Sequence, residues 1–110
     1  DQFGTKHWSN INNKLHRIGA PAIEYADGGK EWRLDGKRHR VDGPAVECAN
    51  GDKYWWLDGK LHRIDGPAIE YANGDKCWYV DDIYYSNLLM WQHAAMLIVG
   101  NTKNIKVMFV

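Results

Sequence analysis

The side chains best suited to chemistry in this sequence are three regularly spaced histidines. His16, His39 and His62 stand 23 residues apart, and each is followed by an arginine. Histidine is a common acid–base group and metal ligand, so one hypothesis is that these histidines form a row of metal ligands or acid–base groups. We favour the alternative that each histidine is the cross-strand partner of a tryptophan, because a catalytic residue occurs once whereas a repeated residue serves the repeat. His93 lies in a helical context, where a packed histidine is the more common case.

Carboxylates and guanidinium groups recur at the same spacing of 23 residues. Paired carboxylates can act as general acid and base, but each glutamate here has a cation or an aromatic residue nearby. A structural cross-strand ladder is therefore the better prediction. In that ladder we expect Glu31 to lie opposite Arg40 and Glu24 to face Glu31. The recurring residues are Glu24, Glu47 and Glu70 together with Arg17, Arg40 and Arg63.

The sequence contains none of the common catalytic or metal-binding motifs. It has no Cys-x-x-Cys, P-loop, nucleophile-elbow or His-Glu-x-x-His pattern, and its turns lack the alternating oxygen ligands of a calcium loop. Cys48 and Cys77 are expected on opposite faces, which argues against a disulfide or a shared metal. We predict no enzyme activity, no cofactor and no metal site. A small enzyme that uses the repeated His, Glu and Arg residues is the alternative hypothesis.

Length and charge restrict the remaining functions. The chain has 110 residues, of which 45% are hydrophobic and 25% charged, and this composition indicates one globular domain. Lys+Arg and Asp+Glu number 14 each, so the net charge is zero, whereas a nucleic-acid or anionic-membrane surface needs excess cations. We therefore expect neither kind of partner. We also expect no membrane-spanning helix and no signal peptide in these residues, and two cysteines favour a reducing, cytoplasmic location.

An internal repeat predicts the elements that position these side chains. Segments 15–37, 38–60 and 61–83 are pairwise identical at 13 or 14 of 23 positions, and a degenerate unit, residues 7–14, precedes them. Each unit is predicted to form three short strands, because Asn-Gly and Asp-Gly pairs close two-residue type I′ hairpins. The prediction is an all-β, antiparallel hairpin meander over residues 1–83.

Two-residue loops set the predicted register of this meander. A loop at Asn50-Gly51 places Val46 opposite Trp55, and a loop at Asp58-Gly59 places Trp55 opposite His62. One face would then be apolar in every unit and would form the core. Its residues are Ile23, Trp32, Leu34, His39, Val46, Trp55, Leu57, His62, Ile64, Ile69, Trp78 and Val80.

The repeated segment resembles a known family of repeats. Tyr54-x-Trp56-Leu57-Asp58-Gly59-Lys60-x-His62, followed by Tyr71-Ala72-Asn73-Gly74-Asp75, is similar to the MORN repeat, a β-hairpin unit of the same length. The His-Arg-x-Asp-Gly-Pro-Ala form also resembles repeats that are common in large DNA phages and giant viruses. The resemblance implies a scaffold or binding module, and it suggests a viral or phage-type factor that binds a host component.

Residues 84–110 differ in composition from the repeat units. Ser86 is the predicted N-cap of a helix over Asn87–Val99 that is apolar on nearly all sides, and residues 104–110 alternate as a final strand does. We predict that the helix and strand cap the open end of the array, as repeat proteins require. The alternative is a surface for a partner or for homo-oligomerisation through this C-terminal segment.

The predicted binding site lies on the face opposite the core, around Arg33, Tyr54, Trp56 and Tyr79. Trp56 occupies a repeat position that holds Arg33 and Tyr79 in the neighbouring units, so this position varies while the core positions do not. Trp, Tyr and Arg are the residues that most often anchor protein interfaces. The sequence therefore favours a non-enzymatic module that binds a protein partner, with a purely structural homo-oligomer as a further alternative.

Overall fold

The computed structural model of the protein describes residues 2–100, and the predicted strand at 104–110 lies outside them. The described chain consists of short antiparallel strands and a C-terminal helix, in agreement with the predicted mainly-β class. The strands are β1 (Lys6–His7), β2 (Ile23–Glu24), β3 (Lys30–Glu31), β4 (Arg33–Leu34), β5 (Lys37–Arg38), β6 (Val46–Glu47), β7 (Lys53–Tyr54), β8 (Trp56–Leu57), β9 (Lys60–Leu61), β10 (Ile69–Glu70), β11 (Lys76–Val80) and β12 (Ile83–Tyr85), and the helix is α1 (Leu88–Gly100).

Eight of these strands form one antiparallel sheet in the order β1-β2-β3-β6-β7-β10-β11-β12. The other four form two separate hairpins, β4 with β5 and β8 with β9. β3 and β4 are separated only by Trp32. β3 belongs to the large sheet, whereas β4 belongs to the hairpin with β5. The hairpins are linked in turn, because Gly36 N donates to Leu15 O (2.8 Å) and Gly59 N donates to Arg38 O (2.9 Å).

The register at the Asn-Gly turn differs from the prediction by one residue. Val46 pairs with Tyr54 and Glu47 pairs with Lys53, so the predicted pairing of Val46 with Trp55 is wrong. The same offset occurs in the flanking units, where Ile23 pairs with Glu31 and Ile69 with Cys77.

The shape of the turn explains the offset. Gly51 N donates to Cys48 O (3.0 Å), and Cys48 N donates to Asp52 O (2.9 Å), so the loop contains three residues instead of two. Gly51 has a φ of 101°, whereas Asn50 is not left-handed. A type I turn followed by a left-handed glycine is the usual three-residue hairpin loop, and it moves the paired strands by one residue.

The register at the Asp-Gly turn agrees with the prediction. Trp56 pairs with Leu61, and His62 N donates to Trp55 O (3.0 Å). Asp58 and Gly59 have φ values of 54° and 81°, as a type I′ turn requires.

The shifted register changes which side chains share a face. The prediction that Ile23, Val46 and Ile69 lie on the same side of the sheet as the tryptophans is wrong. They pair with Glu31, Tyr54 and Cys77 on the opposite side. We call that side the tyrosine face, and the side that carries Trp32, Trp55, Leu57 and His62 the tryptophan face.

The tryptophan face carries a row of alternating charges in addition to its aromatic side chains. Opposite charges directly across a strand pair are favourable and like charges are not, so the observed register is also the electrostatically better one. Glu24 faces Lys30, and the predicted contact between Glu24 and Glu31 does not occur. The paired residues along the row are Lys6, Glu24, Lys30, Glu47, Lys53, Glu70 and Lys76.

The helix packs against the last part of the sheet. Val80, Trp91 and Ala95 form a buried cluster, and Ile64 and Trp78 pack against it. In the sheet before this cluster, the most deeply buried side chains are three alanines at the same repeat position, Ala22, Ala45 and Ala68. Trp32 and Trp55, which were predicted as core, are only half-buried, because α1 does not extend over them.

The N-terminus of α1 differs from the prediction by one residue. Asn87, and not Ser86, is the cap, because its Oδ1 accepts hydrogen bonds from Leu89 N (2.8 Å) and Met90 N (3.2 Å). This is the usual geometry of an Asn N-cap. Within residues 2–100, no helix has the length and hydropathy to cross a membrane.

Candidate binding surfaces on the two faces

The four predicted site residues lie on the tyrosine face. Arg33 lies in β4, Trp56 in β8 and Tyr79 in β11, which are the first strands of three successive hairpins. Tyr54 lies two residues before Trp56 on the same side. Strand pairing adds three residues that the predicted site lacks, because that site left out the residues paired with Arg33, Trp56 and Tyr79 across each turn. Together they form what we call the aromatic row: Arg33, Arg38, Trp56, Leu61, Tyr79 and Tyr84.

Ring and cation contacts connect neighbouring members of the aromatic row. The guanidinium carbon of Arg38 lies 5.1 Å from the ring centroid of Trp56, and the rings of Tyr79 and Tyr84 are 5.5 Å apart. Tyr54 lies beside the row and makes an edge contact with Tyr71 at 6.3 Å. The aromatic row therefore contains two contacting pairs, one on each side of Leu61, and it offers both flat rings and polar groups.

Burial raises the pKa of two tyrosines in this region. Tyr54 and Tyr79 are partly desolvated, and nearby acidic and thiol groups add to the increase in pKa. The increase is in the direction that favours the neutral phenol. A neutral phenol can donate a hydrogen bond as well as accept one, which suits recognition of a polar partner.

Glu31 anchors the basic end of the aromatic row. Its side chain is buried, with 3% of the residue exposed, and Oε1 accepts hydrogen bonds from Arg33 Nε and Arg38 Nε, each at 2.7 Å. Oε2 accepts from the Tyr25 hydroxyl at 2.9 Å. Burial alone raises the pKa of Glu31, but the hydrogen bonds from Arg38, Tyr25 and Arg33 outweigh it, and the pKa lies below its ordinary value. The predicted pairing of Glu31 with Arg40 is wrong.

The partners of Arg33 reduce its availability to a ligand. Besides Glu31, its guanidinium donates to Gly36 O at 2.7 Å, so Arg33 shapes the surface more than it projects from it. Tyr84 is 56% exposed and is the most accessible ring of the aromatic row. The row thus has its rigid, charged end at Arg33 and its open, aromatic end at Tyr84.

The repeated histidines hold backbone groups in place. Nδ1 of His16, His39 and His62 accepts a hydrogen bond from the backbone N–H of an aspartate in the next turn, at 3.0, 2.9 and 3.1 Å. Each histidine also faces a tryptophan through the backbone, because its N–H donates to the carbonyl of Trp8, Trp32 or Trp55. The imidazoles therefore connect successive hairpins.

The repeated arginines are fully engaged on the tryptophan face. Arg63 donates to Asp65 Oδ1 (2.8 Å), Pro67 O (3.0 Å) and Glu70 Oε2 (2.8 Å). Its guanidinium carbon lies 3.9 Å from the centroid of the Trp55 ring. Arg17 over Trp8 and Arg40 over Trp32 repeat this cation–π contact at 3.8 Å.

A groove opens on the tryptophan face beside α1. It has a volume of about 820 Å³, and its apolar lining includes Val41, Pro44, Trp55, Leu57 and Ile64. These side chains were predicted as core, or adjoin predicted core positions. The helix α1 packs against Ile64 at one edge, and within residues 2–100 the rest of the groove is open. The tryptophan face therefore offers a second candidate surface, of different chemistry from the aromatic row.

The described residues contain little that would hold a metal ion. Within residues 2–100, no group of three or more His, Cys, Asp and Glu side chains is arranged as metal ligands. Cys48 and Cys77 are both free thiols, and burial raises the pKa of Cys48. Comparison of the chain with models of protein families, with curated proteins and with solved structures found no match.

Proposed function

We propose that the protein is a non-enzymatic module that binds a protein partner through the aromatic row of its tyrosine face. The observation that supports this most directly is the placement of Trp56, Tyr79 and Tyr84 in one line with Arg38. Tryptophan, tyrosine and arginine are the residues that most often supply the energy of protein interfaces. The molecule measures 50 × 34 × 20 Å, so one broad face provides more than the ~800 Å² that a stable interface takes from each partner.

The proposal includes a MORN-type hairpin array as the scaffold for this surface. Contacts at 23-residue spacing support that assignment, above all the three hydrogen bonds from aspartate N–H groups to histidine Nδ1. In such an array the residue types with catalytic potential stabilise the units, while the position of Trp56 is free to differ between units. The protein partner, the cytoplasmic location and the viral or phage-type origin remain predictions from the sequence.

The test is capture of a partner by the unmodified protein and by Trp56→Ala combined with Tyr79→Ala. We expect the double variant to bind the captured protein with an affinity weaker by ~2 kcal/mol or more, which is about a 30-fold higher Kd. Its free energy of unfolding should fall by only about 1 kcal/mol, because the Arg38 guanidinium is 5.1 Å from the Trp56 ring and the Arg38 side chain is 40% exposed.

A matched control separates this effect from a general loss of apolar surface. Ile11→Ala combined with Ile18→Ala removes two side chains that are 98% and 83% exposed and lie outside the aromatic row. This control should bind the partner as the unmodified protein does. Equal binding by all three proteins would mean that the partner docks elsewhere, and unfolding of the double variant would mean that Trp56 and Tyr79 are core residues.

A further inference from the structure

The groove on the tryptophan face and the outer side of α1 are two apolar surfaces that lie next to each other. Ile64 and Asp65 line the groove, and the same two residues line a smaller crevice with Trp91, Gln92 and Met96 of the helix. The two depressions therefore adjoin each other at Ile64 and Asp65. Val41, on the far side of the groove, is 83% exposed.

The outer side of α1 is unusually apolar for an exposed helix. The helix contains no Asp, Glu, Lys or Arg, and Trp91, Ala95 and Val99 on its inner side are buried. Large apolar side chains nevertheless project from its other sides: Leu88, Leu89, Met90, Met96 and Leu97 are 46% to 73% exposed. Exposed apolar patches of this kind in a folded domain usually mark an interaction site.

The chain itself shows what covers this type of surface. At the end of the array, α1 lies on the tryptophan face, where the Trp91 ring is 4.7 Å from the Trp78 ring and Trp91 Nε1 donates to Arg63 O at 3.2 Å. Ile64 packs beneath this helix, whereas Val41, at the same repeat position one unit earlier, is exposed. The occupant that fits the groove is thus an uncharged, apolar helix.

We propose that two copies of the chain form a dimer in which each copy places the outer side of its α1 in the groove of the other. A reciprocal, two-fold arrangement buries both apolar surfaces of both copies and forms a closed assembly. A foreign helix in the groove would leave the outer side of α1 exposed. The charges at the groove do not oppose an apolar occupant, because Arg40 and Arg63 are already paired with Asp42 and Asp65.

The thickness of a helix allows α1 to lie between its own sheet and the sheet of the second copy. The inner side of each α1 contacts its own sheet, and a helix is about 10 Å thick, so its outer side faces a second sheet stacked above. Two antiparallel helices would then fill the space between two tryptophan faces. The tyrosine faces would point outwards in both copies, and the aromatic rows would stay accessible.

The test is the molar mass of the full 110-residue chain, measured by analytical ultracentrifugation over a concentration series. We expect a mass of twice the 12.7 kDa of one chain. Val41→Glu in the groove and Leu89→Glu on the helix should each raise the dimer Kd by about 100-fold or more, because each would bury an unpaired carboxylate. Ile18→Glu is the matched control: Ile18 has the same repeat position and the same 83% exposure as Val41 but does not line the groove.

Mixing the two variants distinguishes this dimer from other assemblies. The Val41→Glu protein retains an intact helix and the Leu89→Glu protein an intact groove, so the mixture should form a heterodimer through one complete contact. A monomeric unmodified chain overturns the proposal. A dimer that Leu89→Glu dissociates but Val41→Glu does not is a contact between helices alone, and it overturns the proposal equally.

Discussion

Replacement of Glu31 by glutamine tests the buried carboxylate of the tyrosine face, which pairs with Arg33 and Arg38. The variant keeps the shape of the side chain but removes the charge that two guanidinium groups share. Breaking a fully buried ion pair costs about 3–5 kcal/mol. Because the Arg33 and Arg38 side chains are 21% and 40% exposed, water can compensate part of that loss, and we expect Glu31→Gln to lower the unfolding free energy by about 2–3 kcal/mol at pH 7.

Acid should reduce this difference in a defined direction. The pKa of Glu31 is depressed in the folded state, because the hydrogen bonds from Arg38, Tyr25 and Arg33 outweigh the effect of burial. The stabilisation is therefore fully present above the ordinary glutamate pKa of about 4.3, and it is lost as the pH falls through the lower pKa of the folded state. The gap between the unmodified protein and Glu31→Gln should narrow below about pH 4.

Urea unfolding of both proteins at pH 7 and at pH 3 measures the two effects. Glu24→Gln is the control, since Glu24 is partly exposed and has one arginine partner, Arg17, at 3.3 Å. Glu24→Gln should lower the free energy of unfolding by less than about 1 kcal/mol. A loss of less than about 0.5 kcal/mol for Glu31→Gln, or a loss that is equally large at pH 3, would refute the assignment of Glu31 as the charged anchor of the aromatic row.

Four further substitutions test the fold, each through its effect on the free energy of unfolding in urea. Trp55→Ala should cost about 2–3 kcal/mol, less than the ~3–5 kcal/mol of a fully buried tryptophan, because this ring lines an open groove; a cost under about 1 kcal/mol would contradict its role beneath Arg63. His62→Phe should keep the fold and cost about 1 kcal/mol, because the N–H of Asp81 loses its acceptor, and stoichiometric zinc that binds the unmodified protein but not this variant would overturn the structural role. Asn87→Ala should cost about 1 kcal/mol and Ser86→Ala almost nothing, and the reverse order would restore Ser86 as the cap.

The short turns show which parts of the fold could be predicted from the sequence. At Asp58-Gly59 both residues adopt left-handed φ values, and the predicted pairing of Trp55 with His62 follows directly. At Asn50-Gly51 the same type of dipeptide closes a longer loop, because only Gly51 is left-handed. An Asn-Gly pair is compatible with both turn types, so local residue preferences could not decide between them.

A stronger signal for the correct register was present in the charges. In the predicted register Glu24 faces Glu31, whereas a shift of one residue places Glu24 opposite Lys30 and gives an alternating row of Lys and Glu along the whole sheet. Like charges directly across a strand pair are unfavourable, so that contact argued against the two-residue loop. The four predicted site residues share a face despite this error. Tyr54 and Trp56 are two residues apart in one extended segment that spans β7 and β8, and Arg33 and Tyr79 occupy the repeat position of Trp56.

The extent of the core could not be derived from strand alternation, because the tryptophan face has two different covers. Over Trp8, Trp32 and Trp55 the cover is a single guanidinium group from an arginine of the same array. Arg40 and Arg63 each stand eight residues after the tryptophan that they cover, whereas the residue eight positions after Trp78 is Ser86. The Trp91 ring contacts Trp78 in place of the missing arginine. An arginine covers one ring and leaves a groove beside it, whereas a helix seals a whole unit. The buried apolar cluster on this face therefore lies under α1, and the groove next to it, which lacks such a cover, is the surface to which we assign the helix of a second copy.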